Sequence, residues 1–287
     1  MKRRVYLDHL SGGPLAPEVS AAMRPWLEEI HGNAASLHRH GLKAREALDT
    51  AAAQCAAMIG APADDLVFTS SGTEANNLAV KGVAEAQRER GTHLILSNIE
   101  HPSIDQSVAW LEQQGFTATR VPVDREGRLS VGAVTEAITE QTILIATHHA
   151  NHDLGTVQNL PALGALAGAR GIPLLIDATA SGGWLPVDVT AHSISLLTLA
   201  PHRFGGPQGV GVLYRNPRVP LAPQLQGGVQ QGGLRAGTEN LAAIVGAGAA
   251  SALPAIESTP SRRPTKLRGL SLIHISEPTR LLSSSVA

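Results

Sequence analysis

The chain has 287 residues, enough for one large domain or two small ones, and its 43% hydrophobic content with 29 Gly and 18 Pro is ordinary for a globular α/β protein. The 23 Lys and Arg against 24 Asp and Glu give a net charge of −1, which favours no polyanion partner such as nucleic acid. Cys55 stands alone, so no disulfide forms within the chain and a reducing compartment fits; no apolar run is long enough to span a bilayer. "MKRRVYLDHL" lacks the apolar core of a secretory signal, so a cytoplasmic protein is the default expectation.

In chain order, helical and strand patterns alternate. "PEVSAAMRPWLEEI" and "GLKAREALDTAAAQCAAMIG" read as helices, the second ending at Gly60. The strand "LVFTS" precedes the helix "GTEANNLAVKGVAEAQRER", which should end at Gly91. "HLILSN" (strand), "SIDQSVAWLEQQG" (helix), "TATRVPV" (strand) and "SVGAVTEAI" (helix) follow, then the strand "TILIATHHA" and the helix "LPALGALAGARG". "IPLLIDAT", "ISLLTLA" and "GVGVLY" are further strands, seven in all. Such alternation predicts a three-layer α/β/α domain with a mainly parallel seven-stranded sheet, and such sheets bind ligands at the carboxyl ends of their strands.

The residues just after the strands are therefore the candidates. In "TSSGTEANN", Ser71 and Glu74 have capping-box spacing, and Gly72 and Thr73 open a helix whose free N–H groups suit a phosphate. The alternative is a plain helix cap. His101 in "IEHPSI" is either a loop residue with a local hydrogen bond or a flat ring stacked on an aromatic ligand. "ATHHANHDLGTVQ" brings His149, Asn151, His152 and Asp153; the spacing matches no metal-ligand pattern, so no metal is expected. Asp177 ends an apolar strand, where a carboxylate needs a cation or several donors, although capping the next turn would also occupy it. His202 and Arg203 precede a Gly/Pro-rich turn, and Thr238 stands before an Ala-rich helix that it would cap.

Taken together, "VYLDH", "HGNAASLHRHGLKAREAL", "VFTSSGTEANNLAVKG", "IEHPSI", "HHANHDLGTVQ", "IDATASGGWLPVDV", "APHRFGGPQGVGVLY" and "QQGGLRAGTENLAAIVG" resemble, in order and spacing, the class V aminotransferase family, and within it the cysteine desulfurases. The resemblance implies the aspartate-aminotransferase-like fold (fold type I), a homodimer using pyridoxal 5'-phosphate (PLP), and a reaction that takes sulfur from cysteine. It implies Gly72 and Thr73 as phosphate binders, His101 stacked on the pyridine, Asp177 paired with the pyridinium nitrogen, and Asn151 among the cofactor contacts. It also implies His202 on the phosphate and Thr238 lending a hydroxyl to the phosphate of the dimer mate.

The departures concentrate in the pocket. Arg203 stands where the family has its Schiff-base lysine, and a permanently charged guanidinium has no lone pair to attack an aldehyde. Ala200 replaces a phosphate-site Ser, Ala180 a Gln that contacts the cofactor, and His152 and Asp153 the second Asn and the Glu of an "NNE" pattern. "HLSGG" replaces an "NNATT"-like strip. The remaining lysines are Lys2, Lys43, Lys81 and Lys266, none an obvious substitute, and Cys55 reads as a small core residue.

Three expectations follow. The first is a lysine-less pseudoenzyme that binds PLP non-covalently or not at all and serves a sulfur-acceptor or regulatory partner. The second is an enzyme using PLP or pyridoxamine phosphate with altered chemistry and His152 as proton-transfer base. The third is an ordinary cysteine desulfurase misread at one codon. Residues 1–257 are expected to form the large domain with its N-terminal arm, lacking the family's small C-terminal domain. Residues 258–287 are expected to be a non-native tail, since "LSLIHISEPTR" reads as the translation of a transposon adapter used in sequencing libraries.

Overall fold

The computed structural model describes Tyr6 and residues 8–254; all of these but Pro254 belong to one compact unit. The expected tail from residue 258 lies outside the described residues.

All seven expected strands form: β1 (Leu66–Thr69), β2 (His93–Ser97), β3 (Thr117–Val121), β4 (Thr142–His148), β5 (Leu174–Asp177), β6 (Leu196–Leu199) and β7 (Gly211–Arg215). They make one sheet in the order β1-β7-β6-β5-β4-β2-β3. Only β7 runs against its neighbours, so the other six share one direction.

Helices cover both faces because successive strand residues point to opposite sides. Ile95, Leu174 and Ile176 pack beneath α3 (Arg39–Ile59), α7 (Leu160–Arg170) and α8 (Leu241–Ser251). Leu94, Leu96 and Leu175 pack beneath α4 (Gly72–Ala86) and α5 (Pro102–Glu112). α1 (His9–Gly12), α2 (Pro17–Glu28) and α6 (Val131–Ala137) complete the helices among the described residues. Cys55 is buried in the α3 layer, where desolvation pushes its thiol up to about 11, so it behaves as a core residue.

Two local expectations are corrected. The α4 pattern stops at Ala86 rather than at Gly91, and the polar run after it turns so that Arg90 Nη2 donates to Gly171 O at 2.9 Å. Asn240, not Thr238, caps α8, its side chain accepting from Ala243 N at 3.3 Å. An Asn two residues closer to the first helical residue has the better reach to the free N–H groups.

Candidate active site

With β1, β2, β4, β5 and β6 all pointing one way, the residues after their carboxyl ends gather at one edge of the sheet. Register aligns His148, Asp177 and Thr198 side by side on β4, β5 and β6.

Asp177 is 4% exposed and is held by neutral donors. Asn76 Nδ2 donates to its Oδ2 at 2.9 Å, Thr179 N donates to its Oδ1 at 2.8 Å, and Thr198 Oγ1 lies 3.4 Å from that same oxygen. No cation among the described residues pairs with it, so the carboxylate keeps acceptor capacity for a positively charged donor. The expected turn-capping role is also real, through Thr179 N.

Asn76 was not singled out in the sequence, yet it joins the whole group. Its Oδ1 accepts from Thr198 Oγ1 at 2.7 Å, and its Nδ2 also reaches Ser103 Oγ at 2.9 Å. Ser103 in turn donates through Oγ to His101 Nδ1 at 2.7 Å and through its backbone N at 3.1 Å. An N–H can only donate, so His101 Nδ1 is an acceptor and its proton sits on Nε2. The available signal for Asn76 was an amide in the apolar stripe of α4, between the buried Ala75 and Ala79. Ser103 and Thr198 had no such signal.

His101 is half-buried. Desolvation lowers its pKa; the Asp177 charge opposes that shift, and His152 and Arg203 reinforce it. Its ring meets that of His152 edge-on, with centroids 5.2 Å apart and planes at 69°. His152 Nε2 is 3.5 Å from Asp153 Oδ2.

The clustered histidines do not converge. His148 faces Glu100 and Gln158, His149 Nδ1 contacts Ser181 Oγ at 3.0 Å, and His152 faces His101. Asn151 is largely spent on its own loop. Its Oδ1 accepts from Asp153 N and Leu154 N, and its Nδ2 donates to Ile99 O at 3.1 Å, which leaves one amide hydrogen for any ligand.

Gly72 is the first residue of α4, capped by Ser71 Oγ accepting from Glu74 N at 3.1 Å. The Glu74 carboxylate does not close the expected capping box; it takes Ser70 N at 2.7 Å and Arg235 Nε at 2.8 Å. Burial raises the Glu74 pKa, but the Arg235 and Ser70 hydrogen bonds outweigh it and hold the carboxyl below its ordinary range. The N–H groups of Gly72 and Thr73 begin the helix without intrahelical acceptors. A Cβ on Gly72 would sit 2.7 Å from Thr179 Cγ2 and 3.4 Å from Ala200 Cβ, so the helix start lies directly against the segments carrying Asp177 and Arg203.

Pro201–Arg203 forms a short 3-10 turn. His202 O accepts from Gly13 N at 3.0 Å, which lays the "HLSGG" strip against this turn, and Trp184 Nε1 donates to Arg203 O at 2.9 Å. Burial lowers the Arg203 pKa and Asp177 pulls it back up, while Nε of the guanidinium is buried without a partner. Burial and the Arg203 charge together lower His202. Thr238 is exposed, beyond the Arg235–Glu74 pair.

A mainly parallel sheet with an acid, a half-buried cation and a free helix start at its carboxyl edge is the architecture of a PLP-dependent transferase, and the chain belongs to the aminotransferase class-V family, which matches residues 5–263. It is 41% identical over 269 residues to the cysteine desulfurase IscS of Dictyoglomus turgidum, covering 93% of this chain and 68% of that protein. It is 40% identical over 261 residues to the cysteine desulfurase IscS of Methanosarcina thermophila, covering 91% and 65%. The chain thus spans about two thirds of the length of these relatives. A solved structure described as SspA in complex with cysteine superposes with a TM-score of 0.85 at 34% identity, over 95% of this chain and 78% of that one. A NifS-like protein superposes with a TM-score of 0.85 at 30% identity, over 87% and 69%.

Proposed function

We propose that the chain is a cysteine desulfurase-like protein that holds PLP without a covalent bond. The observation that carries the reading is the pairing of a buried, cation-free Asp177 with a half-buried, partly unsatisfied Arg203 in one pocket. The donor set fits the group. Asp177 would hold the proton on the pyridine nitrogen, and His101, its Nδ1 fixed by Ser103, would lie on the ring. The Gly72 and Thr73 N–H groups, His202 and the Arg203 fork would take the phosphate, the guanidinium being suited to bidentate contact. Thr238 would reach the phosphate of a second copy in a homodimer. The cofactor, when bound, supplies an electron sink for a bound amine. Arg203 cannot take a proton from carbon, because its guanidinium stays protonated.

One geometry favours retained chemistry as a second reading. His152 stands edge-on to His101 and beside Asp153, which places an imidazole where it can accept a proton. A sulfur acceptor or regulatory partner, a cytoplasmic setting and a large domain spanning residues 1–257 ahead of a non-native tail complete the proposal.

The test is PLP titration followed by hydride reduction and intact-mass measurement. The expected result is saturable binding with no mass added to the native chain, and a pyridoxyl adduct gained by Arg203→Lys. An adduct on any side chain of the native protein overturns the proposal.

A further inference from the structure

One buried ionisable pair lies outside the chemistry described so far. His148, the last residue of β4, and Glu100, just before His101, meet at 2.9 Å between Nδ1 and Oε1, with side chains 4% and 0% exposed. His148 Nε2 is 2.9 Å from Gln158 Nε2. The Gln158 amide cannot be turned over, because its Oε1 accepts from Leu129 N at 2.9 Å and its Nε2 donates to Gly127 O at 2.9 Å. Gln158 therefore donates to His148 Nε2, the proton of His148 is on Nδ1, and that proton goes to Glu100. Ser97 Oγ donates to the same Glu100 oxygen. Within this relay from Gln158 through His148 to Glu100 and Ser97, Glu100 Oε2 alone is buried without a partner.

A carboxylate that uses one oxygen for two donors and buries the other unpaired destabilises a fold. A glutamine would keep both hydrogen bonds through its carbonyl without the charge. What the carboxylate adds is a stronger, charge-assisted bond to His148. We infer that Glu100 and His148 are positioning residues, a tautomer-locked clamp that fixes His101 against His152 and whose ionic form is kept at the expense of stability. Glu100 is bonded to His101 through the chain, and His148 leads into the turn carrying Asn151 and His152. The second tie between these segments, Asn151 Nδ2 to Ile99 O, is a single neutral bond. The consequence for PLP rests on the function proposed above; the ring geometry does not.

The test compares the native chain with Glu100→Gln at pH 7, reading three quantities. Histidine nitrogen NMR is expected to show His148 protonated on Nδ1 in the native protein; protonation on Nε2 overturns the clamp. Glu100→Gln is expected to melt at the same or a higher temperature, while the His101 and His152 ring signals broaden or shift and PLP binding weakens roughly tenfold. A purely structural role would move melting temperature and binding down together, and that result, or unchanged ring signals, overturns the inference. If the native chain binds no PLP, the function proposed above fails, and the ring signals and melting temperature still decide the clamp.

Discussion

Asp177 and Arg203 carry opposite charges into one site without touching as an ion pair; Asp177 is held by neutral donors alone, and Arg203 Nε is buried without a partner. Asp177→Asn keeps the acceptor for Thr179 N, but it turns an amide N–H2 toward Asn76 Nδ2 and removes the charge that a ring N–H⁺ needs. PLP affinity should fall roughly 10- to 100-fold, the range for a hydrogen bond to a charged group, as read by absorbance titration. His149 makes a different prediction. Burial, with smaller contributions from His192 and His148, pushes it down to about 4 from an ordinary 6.5. Between those values the unfolded chain binds a proton that the folded one refuses, so this contribution is full above pH 6.5 and is lost as pH falls toward 4. The loss amounts to about 3 kcal/mol. Melting temperature should therefore drop through this window, and His149→Gln should flatten the slope. An unchanged slope would mean that the imidazole gains a counter-charge on protonation.

At the scale of elements, all seven strands were legible because each is a short apolar run between turn signals, and Asp177 was legible as a charge ending such a run. The 3-10 turn at Pro201 and the alignment of Thr198 beside Asp177 were not, since they depend on sheet register set by distant segments. The buried Asn76 was half-legible: its helix was read, but which face the helix buries was not. Nor could the sequence show that Glu74 would leave its box for Arg235, a residue 161 positions away. The start of α4 gives the element-scale prediction. Gly72→Ala adds a methyl 2.7 Å from Thr179 Cγ2. It should destabilise the fold by about 1 kcal/mol or more and weaken PLP binding, despite the higher helix propensity of alanine. The double variant Gly72→Ala/Thr179→Ser removes the struck methyl and should recover most of the loss in a double-mutant cycle. Additive losses would show that the helix start does not depend on that contact.

For the whole molecule, the decisive feature is how the 226–240 segment is held. Gln231 Oε1 accepts from Phe68 N at 2.8 Å, on the edge strand β1, and Arg235 is bonded to Glu74 at the start of α4. Both anchors lie within one chain, and both precede Thr238, which is left exposed. Thr238 makes no hydrogen bond among the described residues, and in the homodimer proposed above its hydroxyl would serve the pocket of the second copy. PLP affinity should then depend on protein concentration: diluting the chain through its dimer dissociation range should release PLP. Thr238→Ala should weaken binding severalfold at high concentration and leave the dilute, monomeric form unaffected. Arg235→Ala should loosen the anchor and also leave the Glu74 carboxylate at the start of α4 without its cation, so it should lower affinity in the dilute form as well as at high concentration. Measuring PLP binding alongside mass in solution separates these outcomes. Affinity independent of concentration, with Thr238→Ala silent throughout, would show that each pocket is complete within one chain.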